Sequence, residues 1–226
     1  MAASEDPGGS SVLSSAPCGK LREQVRTAVL SVVVLTLLTG FVFPFLLSAI
    51  AGTLFPRQAT GSLITRDGSV VVGSELIGQE FIQPEYFQPR PSAAGNGYDA
   101  AVSGGTNLGP NNPKLKNGAE GFAGIRQLAE EYRRRNGLAP DAVIPVDAVT
   151  RSASGLDPDI TPENAELQVP RVARARGVRA RSVLQLVRAH IKQPQLGILG
   201  TPRVSVLELN LALDQSFKRS IVPGTR

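Results

Sequence analysis

Apolar residues are distributed along this chain in two different ways. From Thr27 to Pro56 there is no charged side chain. Within that stretch Ala28 to Leu47 reads AVLSVVVLTLLTGFVFPFLL, the roughly 20 apolar residues that a helix needs to cross a bilayer core. Ser31, Thr36 and Thr39 suit a span because hydroxyls bond back to the helix's own carbonyls. Gly40 and Pro44 disrupt a soluble helix more than a membrane one. The pattern predicts a retained anchor rather than a buried core helix, which carries polar interruptions and caps. A cleaved signal peptide is the competing reading, since Ala49-Ile50-Ala51 has small-x-small spacing. Signal cores are typically about 7–15 residues, and this run is longer.

After the span, apolar and polar positions alternate in short runs. Ser62-Leu63-Ile64-Thr65 and Ser69-Val70-Val71-Val72 flank Arg66-Asp67-Gly68, a hairpin signal. Pro84 to Pro113 is crowded with Gly, Pro, Asn and Ser, and long ordered loops of this kind tend to be functional. A helix is predicted from near Asn117, with Phe122, Ile125, Leu128, Ala129 and Tyr132 as its apolar stripe and Gly137 as its stop. Val143 to Val149 reads as a strand. Thr161 and Pro162 open a second helix, interrupted at Pro170 and closed at Gly177. Val183, Leu186, Val187 and Ile191 mark a third. Leu207, Leu209, Leu211 and Leu213 alternate as a strand, expected to pair with the early hairpin. The predicted class is α+β: one N-terminal transmembrane helix followed by a single mixed domain. The expected divisions are a tail at 1–26, the span at 27–54, the domain at 55–214 and a C-terminal tail at 215–226.

Charge adds orientation. Lys20, Arg22 and Arg26 precede the span and hold the N-terminus in the cytoplasm, so the domain is expected outside. The first 19 residues have the composition of a disordered tail. The net charge of +5 lies in the later part, because Lys20, Arg22 and Arg26 cancel Glu5, Asp6 and Glu23. The one compact basic run, Arg133-Arg134-Arg135, ends a predicted helix where the macrodipole favours cations, so nucleic acid is not an expected partner. Cys18 is the only cysteine, which excludes an intrachain disulfide and a cysteine-based metal site. Ser15-Ala16-Pro17 before it lacks the apolar core of a lipoprotein signal.

Little in the residues points to catalysis. His190, the single histidine, sits on the polar edge of a helical stripe without a serine elbow or metal spacing. Gly104-Gly105-Thr106-Asn107-Leu108-Gly109-Pro110 has the glycine spacing of a phosphate loop, but Pro110 stands where the lysine belongs and has no N–H to offer. The residues alone indicate an interaction or accessory protein, with a single-span binding module unrelated to transport and a membrane-tethered hydrolase as other readings.

Several segments in order carry a resemblance. They are GSELIGQEF (Gly73 to Phe81), YFQPRPSAA (Tyr86 to Ala94), GYD (Gly97 to Asp99) and SGGTNLGPNN (Ser103 to Asn112). Further on come SASGLDPDITPENAELQVPRVARARG (Ser152 to Gly177) and LGILGTPRVSVLELNLALD (Leu196 to Asp214). From about Leu21 to Asp214 the chain resembles the C subunit of the Kdp-type potassium-transporting ATPase. The resemblance implies a non-catalytic accessory subunit of a high-affinity potassium pump in the inner membrane. Its implied partners are a potassium-selective A subunit, an ATP-hydrolysing B subunit, a small F peptide and membrane lipid. It implies a part in complex assembly and a catalytic-chaperone role that raises the ATP affinity of B. No firmly bound cofactor is expected; ATP acts through B, and potassium is the transported ion. Gln168, in LQVPRV, is the position the resemblance links to nucleotide. A domain outside the membrane cannot touch cytosolic ATP, so the effect is expected to be coupling between distant sites. An alternative is docking of the Gly/Pro-rich segment on the outer mouth of A to shape ion entry, with Tyr86, Arg90, Tyr98, Asp99, Asn107 and Asn111 as the interface candidates.

Overall fold

The computed structural model of the chain describes residues 18–66 and 68–217. Most of the expected N-terminal tail, Asp67 in the predicted turn and the end of the chain after Phe217 lie outside them. The described residues divide into a helical unit up to Thr60 and a domain from Gly61.

The first unit comprises α1 (Cys18–Leu37), a π-helical turn (Leu38–Val42), α2 (Phe43–Leu54) and a short α3 (Pro56–Ala59). Leu21–Leu54 is long and apolar enough to cross a membrane, with mean hydropathy 2.5 over its most apolar stretch and none of that stretch buried by the protein. Pro44 accounts for the π turn: it has no N–H for the Gly40 carbonyl, and the helix widens until the Phe43 N–H reaches the Leu38 carbonyl. Thr39 Oγ1 donates to the Leu35 carbonyl at 2.7 Å, the back-bond that makes a hydroxyl tolerable in such a helix.

The domain is α+β. Its predicted hairpin is present: β1 (Leu63–Arg66) pairs antiparallel with β2 (Val70–Ser74), with a bulge between Ile64 and Thr65. After a long irregular stretch come α4 (Pro113–Asn117), capped by Asn112, and α5 (Ile125–Asn136). The helix predicted from near Asn117 starts later, as α5; Asn117 ends α4, and the Gln127 side chain accepts from the Gly124 N–H at 2.9 Å to open α5. Then follow β3 (Asp159–Ile160), α6 (Pro162–Arg176), α7 (Ala180–Ala189), β4 (Val204–Ser205) and α8 (Val206–Ser216). Gly137 and Gly177 close α5 and α6 in left-handed conformation, as their positions predicted.

Three predicted features come out differently. Val143–Val149 is not a strand. Pro145 offers no ladder donor, and the chain makes a 3₁₀ turn (Val146–Ala148) that turns Asp147 inward. Pro170 does not end α6, whose packing carries the helix through it. The leucines from Leu207 to Leu213 form α8, started by Ser205, whose hydroxyl accepts from the Glu208 N–H. β4 pairs with β3, Asp159 opposite Ser205 and Ile160 opposite Val204, and not with the hairpin.

The core lies where α6, α7 and α8 meet: Val169, Val172 and Ala173 pack with Val183 and Val187 and with Leu209 and Leu213, and Phe87 from the irregular stretch completes it. That stretch is fixed on Ser152–Asp157. The Gly78 and Gly104 N–H groups donate to the carbonyls of Leu156 and Ser154, and Ser92 Oγ to that of Gly155 at 2.6 Å. The approach is so close that a Cβ on Gly155 would meet the Gly104 carbonyl oxygen at 2.6 Å and the Ala94 nitrogen at 2.7 Å, in a residue with φ +70°. A Cβ on Gly105 would meet the Ala153 oxygen at 2.8 Å. The glycine run is therefore shaped by backbone-to-backbone packing. Gly155→Ala is expected to cost about 1–3 kcal/mol, seen as a lower melting temperature by circular dichroism. Gly109→Ala, with no neighbouring atom within 4 Å, is expected to stay within about 0.5 kcal/mol.

Candidate functional site

Helix α6 presents Asn164, Gln168 and Arg171 on one face, at the four- and three-residue spacing of a single helical stripe. All three are buried polar residues, and their partners form one network. Gln168 is 1 % exposed. Its Oε1 accepts from the Gln88 N–H at 2.8 Å and from Arg171 Nη2 at 2.7 Å. Its Nε2 donates to the Gln88 carbonyl at 3.0 Å and to Asn164 Oδ1 at 2.9 Å. These four bonds use the whole capacity of a carboxamide. Asn210, on α8, treats Phe87 in the same way: the Phe87 N–H donates to Oδ1 at 2.8 Å and Nδ2 donates to the Phe87 carbonyl at 2.9 Å. Two side-chain amides thus serve both main-chain groups of two successive residues, as neighbouring strands would.

Arginines hold the residues just before. Arg171 Nη1 donates to the carbonyls of Pro84 (2.6 Å) and Tyr86 (3.0 Å), and Nε to Asn136 Oδ1 (2.9 Å). Burial pushes its pKa down to about 10, which leaves it charged near neutral pH. Arg176 donates to the Glu85 carbonyl and to Asp214 Oδ1, both at 2.8 Å, and its guanidinium lies 4.9 Å from the centre of the Tyr86 ring. The Tyr86 hydroxyl donates to Asp214 Oδ2 at 3.1 Å, and burial, followed by the Asp214 charge, raises its pKa. At the other end, Asp147 accepts from the Thr161 N–H and hydroxyl and from Asn164 Nδ2, at 2.8–2.9 Å. The Tyr132 hydroxyl donates to Asn164 Oδ1 at 2.8 Å, and burial raises its pKa.

Beside this network is an open cleft of about 310 Å³ whose lining includes Gln88, Arg90, Tyr98, Glu131, Arg135 and Arg151. Arg90 Nη1 donates to Asp157 Oδ2 at 2.7 Å, and the Tyr98 hydroxyl donates to the Arg90 carbonyl. Burial raises the Tyr98 pKa. Of the six interface candidates, the structure therefore brings Arg90 and Tyr98 together at the cleft and places Tyr86 under Arg176. Asp99, Asn107 and Asn111 are exposed, with Asp99 Oδ1 accepting from the Ala101 N–H at 2.9 Å. Gln168 is inside the domain, one residue removed from the cleft through Gln88.

Other sequence candidates are occupied locally. His190 Nδ1 lies 2.8 Å from the Leu186 carbonyl at the end of α7. In the basic run, Arg133 donates to the Ala142 carbonyl at 3.1 Å, while Arg134 and Arg135 pair with Glu131. Sequence reasoning passed over Asp147, Asn164, Arg171 and Asn210. The available signals were the four-residue spacing of Asn164 and Gln168 and a lone Asn within the leucines of α8.

The clamp makes separable predictions. Gln168→Ala leaves the main-chain N–H and carbonyl of Gln88 without partners and is expected to cost on the order of 2–4 kcal/mol in urea unfolding. Native-state amide exchange should accelerate at Gln88 more than at Phe87, and Asn210→Ala should reverse that preference.

The family model described as KdpC, K+-transporting ATPase, c chain, matches residues 25–215. The chain is 47% identical over 195 residues to the potassium-transporting ATPase KdpC subunit of Mycobacterium tuberculosis, covering 86% of this chain and 100% of that protein. It is 48% identical over 194 residues to the KdpC subunit of Koribacter versatilis, covering 86% and 95%. For that of Caulobacter vibrioides the identity is 49% over 193 residues, covering 85% and 93%. Most of the apolar helix, the clamped segment and the side chains that clamp it fall within the matched residues, and the chain belongs to the KdpC family, the c chains of K+-transporting ATPases.

Proposed function

We propose that this chain is the accessory subunit that completes a potassium pump from outside the membrane, presenting the Tyr86–Asn112 segment as a preset docking surface. Its helix anchors it with the N-terminus in the cytoplasm, as Lys20, Arg22 and Arg26 favour. The docking partner is the potassium-selective A subunit, and the assembly includes the ATP-hydrolysing B subunit and the small F peptide. The observation that carries this reading is the clamp. Side chains from α6 and α8 hold the backbone from Pro84 to Gln88 through seven hydrogen bonds, so the cleft is ready before a partner arrives. A preorganised surface loses little entropy on binding.

A catalytic-chaperone effect on the ATP affinity of B fits the same surface. The Gln168 amide has no free donor or acceptor for a nucleotide, and its nearest route to a partner is through Gln88 and the cleft. The effect on ATP is then a coupling free energy between docking and nucleotide sites. In this reading Gln168 is a positioning residue.

Two measurements test it. A cysteine placed at Val143, which is 89 % exposed, in a Cys18→Ser background should react with a membrane-impermeant maleimide in intact cells. Reaction only after permeabilisation would overturn the orientation. The purified full chain should show no saturable labelling by a photoreactive ATP analogue. Saturable labelling that disappears in a folded Gln168→Glu chain would establish direct contact instead. A pull-down in mild detergent that brings no other pump subunit would favour the single-span module unrelated to transport.

A further inference from the structure

Five charged side chains line the cleft: Glu80, Arg90, Glu131, Arg135 and Arg151. Four of them need nothing from outside. Arg90 pairs with Asp157 at 2.7 Å, and Arg135 pairs with Glu131. Glu80 is exposed, so water serves its carboxylate, and an exposed charge gains little from a partner. Arg151 differs. It is half-buried, and none of the ion pairs among the described residues includes it. Burial lowers its pKa, and no neighbouring carboxylate offsets the effect.

Its guanidinium is nevertheless fixed in place. Nε donates to the Ser92 carbonyl at 3.3 Å and Nη1 to the Ala123 carbonyl at 3.1 Å. The group lies 4.4 Å from the centre of the Phe122 ring, which holds it by cation–π attraction. A guanidinium has five N–H donors, so both donors of Nη2 and one of Nη1 are left without a partner among the described residues. Lys114 Nζ, 5.3 Å from the same ring centre, is a second cation in none of these ion pairs. The wall beside Phe122 is therefore positive and uncompensated. A basic occupant would be repelled there, and an apolar one would strip the remaining water from open donors at a cost. Charge complementarity selects an acidic side chain, whose two oxygens match a guanidinium fork.

We propose that Arg151 selects the partner at the cleft: in the docked state its open N–H groups pair with the carboxylate of an aspartate or glutamate carried by the docking subunit. This deepens the docking reading and rests on it. Rigid placement of the guanidinium by Ser92, Ala123 and Phe122 makes the pairing specific, because little side-chain entropy remains to be lost.

The test uses the full chain assembled with the other pump subunits in mild detergent. Arg151→Lys keeps the charge and brings a primary amine into the cleft. A water-soluble carbodiimide should join that amine to a carboxylate of another subunit as an amide, located by peptide mass spectrometry at position 151. Arg151→Glu should lower the amount of co-purified subunits by about 30-fold or more, the scale of an unpaired interfacial charge. Replacing the cross-linked acid by arginine should restore it. Asn96, exposed on the cleft lining, tests the docking by itself: Asn96→Cys in a Cys18→Ser background, loaded with a bulky maleimide, should block assembly. Blocking at Asn96 while Arg151→Glu assembles normally overturns the inference and leaves the docking reading standing. Assembly untouched by either change overturns both. A cross-link from position 151 only to carboxylates of this same chain, or none there while other lysines react, also overturns the inference. Should Arg151→Glu melt abnormally, the cross-link in the Arg151→Lys chain decides.

Discussion

A buried guanidinium without a counter-ion organises this domain. Arg171 is 8 % exposed, and none of the ion pairs among the described residues includes it. Removing a cation from water is costly unless its donors are met. Here they are met by neutral oxygens alone: the carbonyls of Pro84 and Tyr86 and the side-chain oxygens of Asn136 and Gln168. The two carbonyls belong to the segment, Asn136 to the end of α5, and Gln168 to α6 itself. A single charge therefore gathers three parts of the domain, and each must be in place before the others are worth burying. Gln168 and Asn210 then extend the hold to Gln88 and Phe87.

This has a bearing on how such a domain acts within a pump. A polar network with every member satisfied is rigid, since a displaced side chain leaves several groups unpaired in a low-dielectric interior. The cleft beside it is lined by residues of the same segment, Gln88 to Ser92. Movement at the cleft and movement at α6 are consequently not independent.

Much of the fold can be read in the sequence, and the exceptions have physical causes. The span follows from composition, and α6 from Thr161, Pro162 and Gly177, because these signals are local. The leucines of α8 misled because alternation at Leu207, Leu209, Leu211 and Leu213 satisfies a strand period, while burial at Val206, Leu209, Asn210 and Leu213 obeys a helical one. Asn210 separates the two readings: a strand turns it to the solvent face opposite the leucines, whereas the helix buries it against Phe87. Val143–Val149 has the apolar content of a strand, but Pro145 and the inward Asp147 outweigh it. At the candidate site, Arg90 and Tyr98 stand in the sequence only as two of six interface candidates, and nothing local pairs them. The partners of Gln168 are not legible either, since the Gln88 main chain is 80 residues away and no local pattern announces it.

That separation carries a consequence for how the domain is made. Phe87 waits for Asn210, 123 residues later, and the Tyr86 hydroxyl for Asp214, 128 residues later. Such distant closures are entropically expensive and slow. As the chain is synthesised from its N-terminus, the segment around Phe87 emerges long before α8 exists to receive it. Until then its apolar ring has no core to enter, and its backbone amides are open to any competing partner. The last described helix therefore acts as a latch, and maturation of the domain is timed by the arrival of its 11 residues.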